Sequence, residues 1–250
     1  MNILVCVSQV PDTTTRINVA ADGKSMDPAG VKFILNPYDE LAVEEGLRLR
    51  DKHKGEVTVI TVGADSAKEA LRQALAMGAD KGILVKADKQ DSFQVAEMLA
   101  AAIMPLNPDL ILLGKQSIDF DGMEMAPMLS ELLNLPCATV AVGLTIDGTT
   151  AKAEKEVEGG REVISLTMPC IIAAQKGLND PRYPSLPNIM KAKQKPIQEI
   201  VGTPSAARTA IVGMTKPDKK RANKIVKADG DANAAAHELA RLLHEEAKVI

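Results

Sequence analysis

The chain opens on a short, continuous, β-branched run, ILVCVS (3–8), the pattern of a strand buried on both faces. VTVITVG (57–63), GILVKA (82–87) and LILLGK (110–115) repeat it. Helical patterns lie between these runs. In 39–53, DELAVEEGLRLRDKH, Leu41, Glu45 and Arg48 fall at helical steps behind an acidic first turn, which suits the positive end of a helix dipole. In 66–79, SAKEALRQALAMGA, Ser66 and Glu69 predict a capping box and Gly78 a stop. The third pattern, DSFQVAEMLAAAIMP (91–105), runs to Pro105. Alternation of strand and helix predicts βαβ units around a parallel sheet.

Strand starts at 3, 57, 82 and 110 leave one long first connection. Its turn signals, Asp22-Gly23 and Pro28 to Gly30, predict an excursion such as a hairpin before the helix at 39. After residue 135 the rhythm changes. ATVAVGLTI (138–146), an Asp147-Gly148 turn, TAKAEKEVE (150–158), a Gly159-Gly160 turn, REVISLTMP (161–169) and PCIIAAQ (169–175) follow without helices between them. This half of the sheet is expected to be antiparallel or mixed. From about residue 200 small and breaking residues predict an extended arm, and DANAAAHELARLLHEEAKV (231–249) predicts a terminal helix with Leu239, Leu242 and Leu243 on one face. Such an arm is either a frayed tail or a segment that packs on a partner. The expected fold is α/β: a doubly wound, mostly parallel, Rossmann-like sheet with an antiparallel extension and a C-terminal arm, divided as 1–200 and 201–250.

Composition narrows the chemistry. Hydrophobic residues are 46% of 250, enough for a full core, and charged residues are 25%, ordinary for a soluble protein. A net charge of −3 argues against general nucleic-acid binding, and no nucleic-acid partner is expected. Aromatic residues are 2%, so the core is aliphatic and a ligand would be held mainly by backbone and aliphatic groups. Cys6, Cys137 and Cys170 lie far apart in apolar runs without CxxC spacing, and read as buried thiols of a reducing compartment. ILVCV (3–7) is too short for a signal segment or a membrane span, so a soluble chain without targeting segment or membrane insertion is expected. His53, at a helix C-terminus, and His237 and His244, on the terminal helix, read as solvated surface residues. No HExxH, GxSxG or Walker A pattern occurs, so no catalytic residue and no metal ligand is assigned.

In a doubly wound sheet, ligands bind beyond the strand C-termini. Three loops would meet there: Cys6-Val7-Ser8, Val62 to Asp65, and GKQSIDFDGMEMAP (114–127) ahead of a helix over 128–135. Gly114 and Gly122 permit close backbone approach, Pro127 fits a first helical turn, and free N–H groups there suit a phosphate. Asn36-Pro37 is either an Asx turn at a helix start or an asparagine that bonds an adenine or ribose edge. Spacing alone leaves open both a nucleotide site without catalytic residues and a set of tight turns.

MNILVCVSQVPD, NPYDELAVEEGLRLRDK, LRQALAMGADKGILV, LILLGKQSIDFDG and LNDPRYPSLPNIMKAKQKP, in order over roughly residues 1–200, together resemble the β subunits of electron-transfer flavoproteins. The resemblance implies a non-catalytic subunit of an electron carrier, in the bacterial cytoplasm or the mitochondrial matrix. Its partner would be an α subunit that holds most of one FAD and on which the arm and helix of 201–250 would pack. Electrons would come from acyl-CoA or related flavin dehydrogenases, as in fatty acid oxidation, and leave to a membrane quinone-reducing acceptor. The resemblance also implies a structural AMP. Its pocket would be Cys6, Val62 and the run Asn36, Pro37, Tyr38 and Asp39. The backbone from Asp121 through Gly122, Met123, Glu124, Met125, Ala126, Pro127, Met128, Leu129 and Ser130 to about Leu132 would complete it. Many relatives carry Gly-Gln where this chain has Ala126-Pro127, and Pro127 has no N–H to give a phosphate.

In 182–196, RYPSLPNIMKAKQKP, Pro184 and Pro187 bracket Leu186, and Lys191, Lys193 and Lys195 follow. Alone, this reads as a proline-rich loop with a solvated basic end. The resemblance implies a recognition loop for partner dehydrogenases, with Leu186 as an apolar knob stiffened by the prolines. Tyr183, Pro184, Ser185, Leu186, Pro187, Asn188, Ile189, Met190 and Lys191 would form it. The lysines would steer acidic partners or pack on the α subunit. Bifurcating relatives carry a second FAD in place of AMP and a different recognition segment. This chain keeps the PRYxSLPNIMKAK form, which favours the one-flavin type. Some relatives place an aromatic near the flavin where Thr13 stands, so no flavin-stacking residue is assigned. The rival readings are a scaffold and a stand-alone adenine-nucleotide enzyme; SQVPDTTT (8–15) lacks the Gly-rich phosphate loop that favours the latter.

Overall fold

The first strand, β1 (Asn2–Cys6), shows why the apolar runs are continuous: Ile3 and Val5 enter one core layer, Leu4 and Cys6 the other. Both faces of the strand are covered, so neither set of alternate positions can be polar. The computed structural model describes residues 1–88, 91–217, 224–227 and 229–250. Met1–Met214 form one compact unit and Thr215–Ile250 a second.

In the first unit β1 is followed by β2 (Gln9–Pro11), β3 (Phe33–Leu35), α1 (Pro37–His53), β4 (Glu56–Gly63), α2 (Lys68–Met77), β5 (Lys81–Lys86), α3 (Ser92–Ile103), β6 (Leu110–Gly114) and α4 (Met125–Leu133). Then come β7 (Cys137–Asp147), β8 (Thr150–Val157), β9 (Gly160–Thr167), β10 (Cys170–Ala174), α5 (Leu186–Ala192) and β11 (Ile197–Val201). Among the described residues the main sheet has the order β11-β5-β4-β1-β6-β10-β7-β8-β9. From β11 to β7 every pairing is parallel, and β7-β8-β9 is an antiparallel meander. Leu41, Leu47, Leu71 and Leu75 of α1 and α2 pack on one face, and Leu99, Ile103 and Leu129 of α3 and α4 on the other. This is the doubly wound, mixed sheet that the strand–helix rhythm predicts.

The long first connection is a small ladder of β2 against β3, with an inner antiparallel bridge between Val19 and Met26. Its tip turns at Asp22, whose carboxylate accepts the Lys24 and Ser25 amides. Three expectations need correction, and one strand was not expected at all. The Ser66–Glu69 capping box does not form, because the chain enters α2 through a 3-10 turn (Asp65–Ala67) that carries Ser66 inside it. The helix expected over 128–135 begins three residues earlier, at Met125. The segment read as a recognition loop contains α5, capped by the Ser185 side chain with Pro187 in its first turn. Finally, residues 197–201 form an edge strand paired along β5.

Residues 202–214 carry no helix or strand. In the second unit, Asp231 accepts the Asn233 and Ala234 amides and caps α6 (Ala232–Leu242). Arg241 pairs with Glu238 at 2.7 Å and Glu245 at 2.6 Å. On α6 and just beyond it, Leu242 is buried, Leu243 is half-buried and Leu239 is exposed. Among the described residues no helix is long and apolar enough to cross a membrane.

Candidate functional site

The C-terminal ends of β1, β4 and β6 open into a cavity of about 820 Å³. This is the crevice where the chain, having run outward from β1 through β4 and β5, returns to the other side of β1 as β6. Its floor is organised by one buried carboxylate. Asp39, in the first turn of α1, accepts the Ser8 amide and hydroxyl on Oδ2, both at 2.7 Å, and the Gly114 amide on Oδ1 at 2.9 Å. One side chain thus ties the ends of β1 and β6 to the start of α1. Burial pushes the Asp39 carboxyl up to about 6, against the pull of hydrogen bonds from Ser8, Gly114 and Asn36. Burial also raises the Glu40 carboxyl, with the Asp39 charge as the second cause.

Gly114 is required at this junction. A Cβ there would stand 2.5 Å from Asp39 Oδ1 and 2.6 Å from Tyr38 Cβ. Beside it Asn36 is fully buried. Its Nδ2 donates to the Gln116 carbonyl at 2.9 Å, while its Oδ1 has no partner among the described residues. A buried acceptor left unpaired costs about 1–3 kcal/mol, and with almost no accessible surface this atom bears that cost within the fold beside the cavity. Opposite, α4 starts at Met125 without a side-chain cap. The amides of Met125 and Ala126 precede its first intrahelical bond, and Pro127 contributes none.

Of the residues proposed for the pocket, Cys6, Asn36, Asp39, Val62, Gly122, Glu124 and Met125 line the cavity. Pro37, Tyr38, Asp121, Met123, Ala126, Pro127, Met128, Leu129 and Ser130 stand behind or beside this lining. Ala126 and Leu129 are core residues of α4, and the Tyr38 ring lies 5.2 Å under the Lys115 ammonium. Sequence reasoning missed one wall. Asp91, Gln94 and Val95 at the start of α3, with Ala207, Thr209 and Ile211, close the cavity on that side. The Asp91-x-x-Gln94 spacing is a capping-box signal and the box is formed, but nothing in the pattern of 205–211 points to the cavity.

The three thiols are inert, and of them Cys6 lines the cavity. Burial, helped by the Asp39 charge, raises the Cys6 thiol far above its usual range. Burial pushes Cys137 and Cys170 up to about 11. His237 and His244 are exposed, but His53 is half-buried and its Nε2 lacks a partner among the described residues, contrary to a solvated reading.

A second feature lies away from the cavity. Tyr183 is 97% exposed, Leu186 78% and Met190 62%. Below this apolar surface α5 is clamped to α2 by reciprocal cations. Arg72 Nη1 of α2 donates to the carbonyls of Ala192 and Lys195, and Lys195 Nζ donates to those of Leu75 and Ala79. Each cation meets the carbonyl end of the other helix. Lys195 is therefore not part of a solvated basic run, and burial pulls its ammonium below the ordinary lysine range. Lys191 and Lys193 are exposed. Arg182, just before the surface, pairs with the buried Glu44 at 2.7 Å.

A family model described as Electron transfer flavoprotein domain matches residues 25–205. The chain is 41% identical to the electron transfer flavoprotein subunit beta of Bacillus subtilis, with 100% of each chain covered. It is 39% identical to the mitochondrial electron transfer flavoprotein subunit beta of Oryza sativa subsp. japonica, again over 100% of each. To the human electron transfer flavoprotein subunit beta it is 36% identical, over 97% of this chain and 99% of that one.

Proposed function

The chain belongs to the electron transfer flavoprotein family as a β-type subunit, an electron carrier and not an enzyme, and from that premise we propose that it holds a structural AMP and docks partner dehydrogenases. The cavity at the C-terminal ends of β1, β4 and β6, lined also by the uncapped start of α4, supports the nucleotide reading. The Met125 and Ala126 amides at the positive end of α4 suit a phosphate, and Pro127 leaves one donor fewer there. The volume lies in the range of about 300–1,000 Å³ that small ligands occupy. AMP in this position supplies bulk and hydrogen bonds, not redox chemistry. Asp39 keeps three chain segments in register beneath it.

In this reading an α subunit holds most of one FAD, which supplies the redox chemistry. The surface of Tyr183, Leu186, Ile189 and Met190 receives acyl-CoA or related flavin dehydrogenases, and electrons pass on to a quinone-reducing acceptor at a membrane. Burying Leu186 would contribute roughly 1.5–3 kcal/mol, which suits a partner that must leave again. The bacterial cytoplasm or the mitochondrial matrix is the compartment that goes with this role. The test is nucleotide analysis of the chain purified with its α subunit. One AMP and one FAD per heterodimer is the expected result. Two FAD without AMP would make it a bifurcating carrier, and a cavity without any adenine nucleotide would remove the reading.

A further inference from the structure

We propose that residues 205–211 form a latched strap over the nucleotide cavity, that Asp91 is the positioning residue that holds it, and that the latch sets how fast bound nucleotide leaves. The inference rests on the nucleotide reading of the cavity and adds to it a moving part.

The walls of the cavity differ in what holds them. β1, β4 and β6 are bonded into the sheet on both sides, and α1, α3 and α4 carry their own helical bonds. The strap has neither, yet Ala207, Thr209 and Ile211 line the cavity. Its outer side is solvent-exposed throughout. It is tethered at both ends, where the Gly202 amide donates to the Lys86 carbonyl at 2.9 Å and the Met214 amide to the Gly23 carbonyl at 2.8 Å. Between the tethers the contacts converge on the first turns of α3. Gln94 Nε2 donates to the Ser205 carbonyl, the Ser205 hydroxyl bonds Glu97, and the Arg208 guanidinium lies 3.4 Å over the Phe93 ring.

Asp91 joins the two halves of this arrangement. Its Oδ1 accepts the Gln94 amide at 2.8 Å and caps α3. Its Oδ2 accepts the Arg208 amide at 2.7 Å and the Thr209 amide at 3.0 Å, and so holds the strap. One carboxylate does two separable tasks with its two oxygens. Opening the strap breaks contacts to one helix end and leaves both sheet and core intact, so this wall is the route by which a ligand enters and leaves.

The division of labour gives the test. In Asp91→Asn one oxygen remains for the cap, and the other position becomes an NH₂ that faces two N–H donors. The cap survives and the latch is lost. In the full-length chain with its α subunit, chase of radiolabelled AMP by unlabelled AMP should show release about tenfold faster than wild type, the loss expected for a charge-assisted pair of bonds. The thermal midpoint should stay close to wild type. Hydrogen exchange at the Arg208 and Thr209 amides, followed by peptide mass, reports the latch independently of the ligand and should accelerate in the same variant. A second variant, Glu97→Cys with Ser205→Cys, should release AMP more slowly when oxidised than when reduced. Unchanged AMP release and unchanged amide exchange at Arg208 and Thr209 in Asp91→Asn would overturn the strap, as would equal release from the pinned chain in both redox states. If wild type holds no AMP while that exchange still responds to Asp91→Asn, the strap stands and the nucleotide reading falls.

Discussion

The cavity and α5 sit on the same unit and hold their working groups in opposite ways. At the cavity floor the polar groups are inside: Asn36 is 0% and Asp39 5% exposed, and the Asp39 oxygens and Asn36 Nδ2 are bonded to other chain segments. On α5 the apolar groups are outside, and the polar clamp of Arg72 and Lys195 lies beneath them. A buried polar network is costly when it is incomplete, so it suits an occupant that stays. A small exposed apolar surface gains from burial but costs little while free, so it suits a partner that comes and goes. Permanence and exchange are thus separated in one chain by which kind of atom faces water.

The largest expected effect comes from the cavity floor. Gly114→Ala would set a methyl 2.7 Å from the Tyr38 carbonyl carbon, against backbone that cannot turn aside. A loss of about 3 kcal/mol is expected in chemical denaturation, together with loss of bound AMP. An unchanged midpoint would show that the floor yields. The next effect is the pH dependence of Asp39. The folded state raises its carboxyl from 3.8 to about 6 and so binds its proton more tightly than the unfolded chain does. The resulting stability is fully present below about pH 4 and is lost as pH rises through about 6. Wild type minus Asp39→Asn should therefore fall by about 2–3 kcal/mol across that window and stay level above it. A level difference throughout would mean that the carboxylate is charged at little cost in the fold.

The same contrast explains what was legible in the sequence. Buried strands announce themselves by composition, so β1, β4, β5 and β6 were readable to within two residues, and the crevice at their ends followed from alternation with helices. Elements defined by distant partners were not. β10 lies between β6 and β7, and no local pattern states which strands it will join. β11, IQEIV, is half-exposed on an edge and lacks a clean period. α5 is short, and its signals, Ser185 and Pro187, serve a loop as well as a helix start. The strap is a contact between residues 205–211 and a helix start far earlier in the chain, which only the folded backbone brings together. The sequence and its resemblance place Asn36 and Asp39 at the crevice, and both do line the cavity, but their roles as orphan acceptor and three-way tie were not legible, because both depend on what the neighbouring strands present.

Leu186→Ala tests the exposed half of the comparison. It removes an apolar side chain that is 78% exposed, so stability and AMP content should not change. Electron transfer from the partner dehydrogenase should fall about thirtyfold at limiting carrier, from about 2 kcal/mol of lost burial. An unaffected rate would remove α5 as the docking surface.

The smallest effect is the most discriminating. Arg72 lies under α5 and is half-buried, with Nη1 2.5 Å from the Ala192 carbonyl and 2.7 Å from that of Lys195. It closes the C-terminal end of a helix of 7 residues, too short to hold itself. Arg72→Ala frees those carbonyls and leaves Tyr183, Leu186 and Met190 unaltered in kind. Partner transfer should fall about fivefold, from about 1 kcal/mol of lost ordering, with AMP content unchanged. Steady-state assays against dehydrogenase concentration should place the change in apparent affinity and not in the limiting rate, because the clamp sets how often α5 is presented. Equal affinity in wild type and variant would mean that the apolar side chains dock without a prepared helix beneath them, and the contrast between a built cavity and a built docking surface would reduce to the cavity alone.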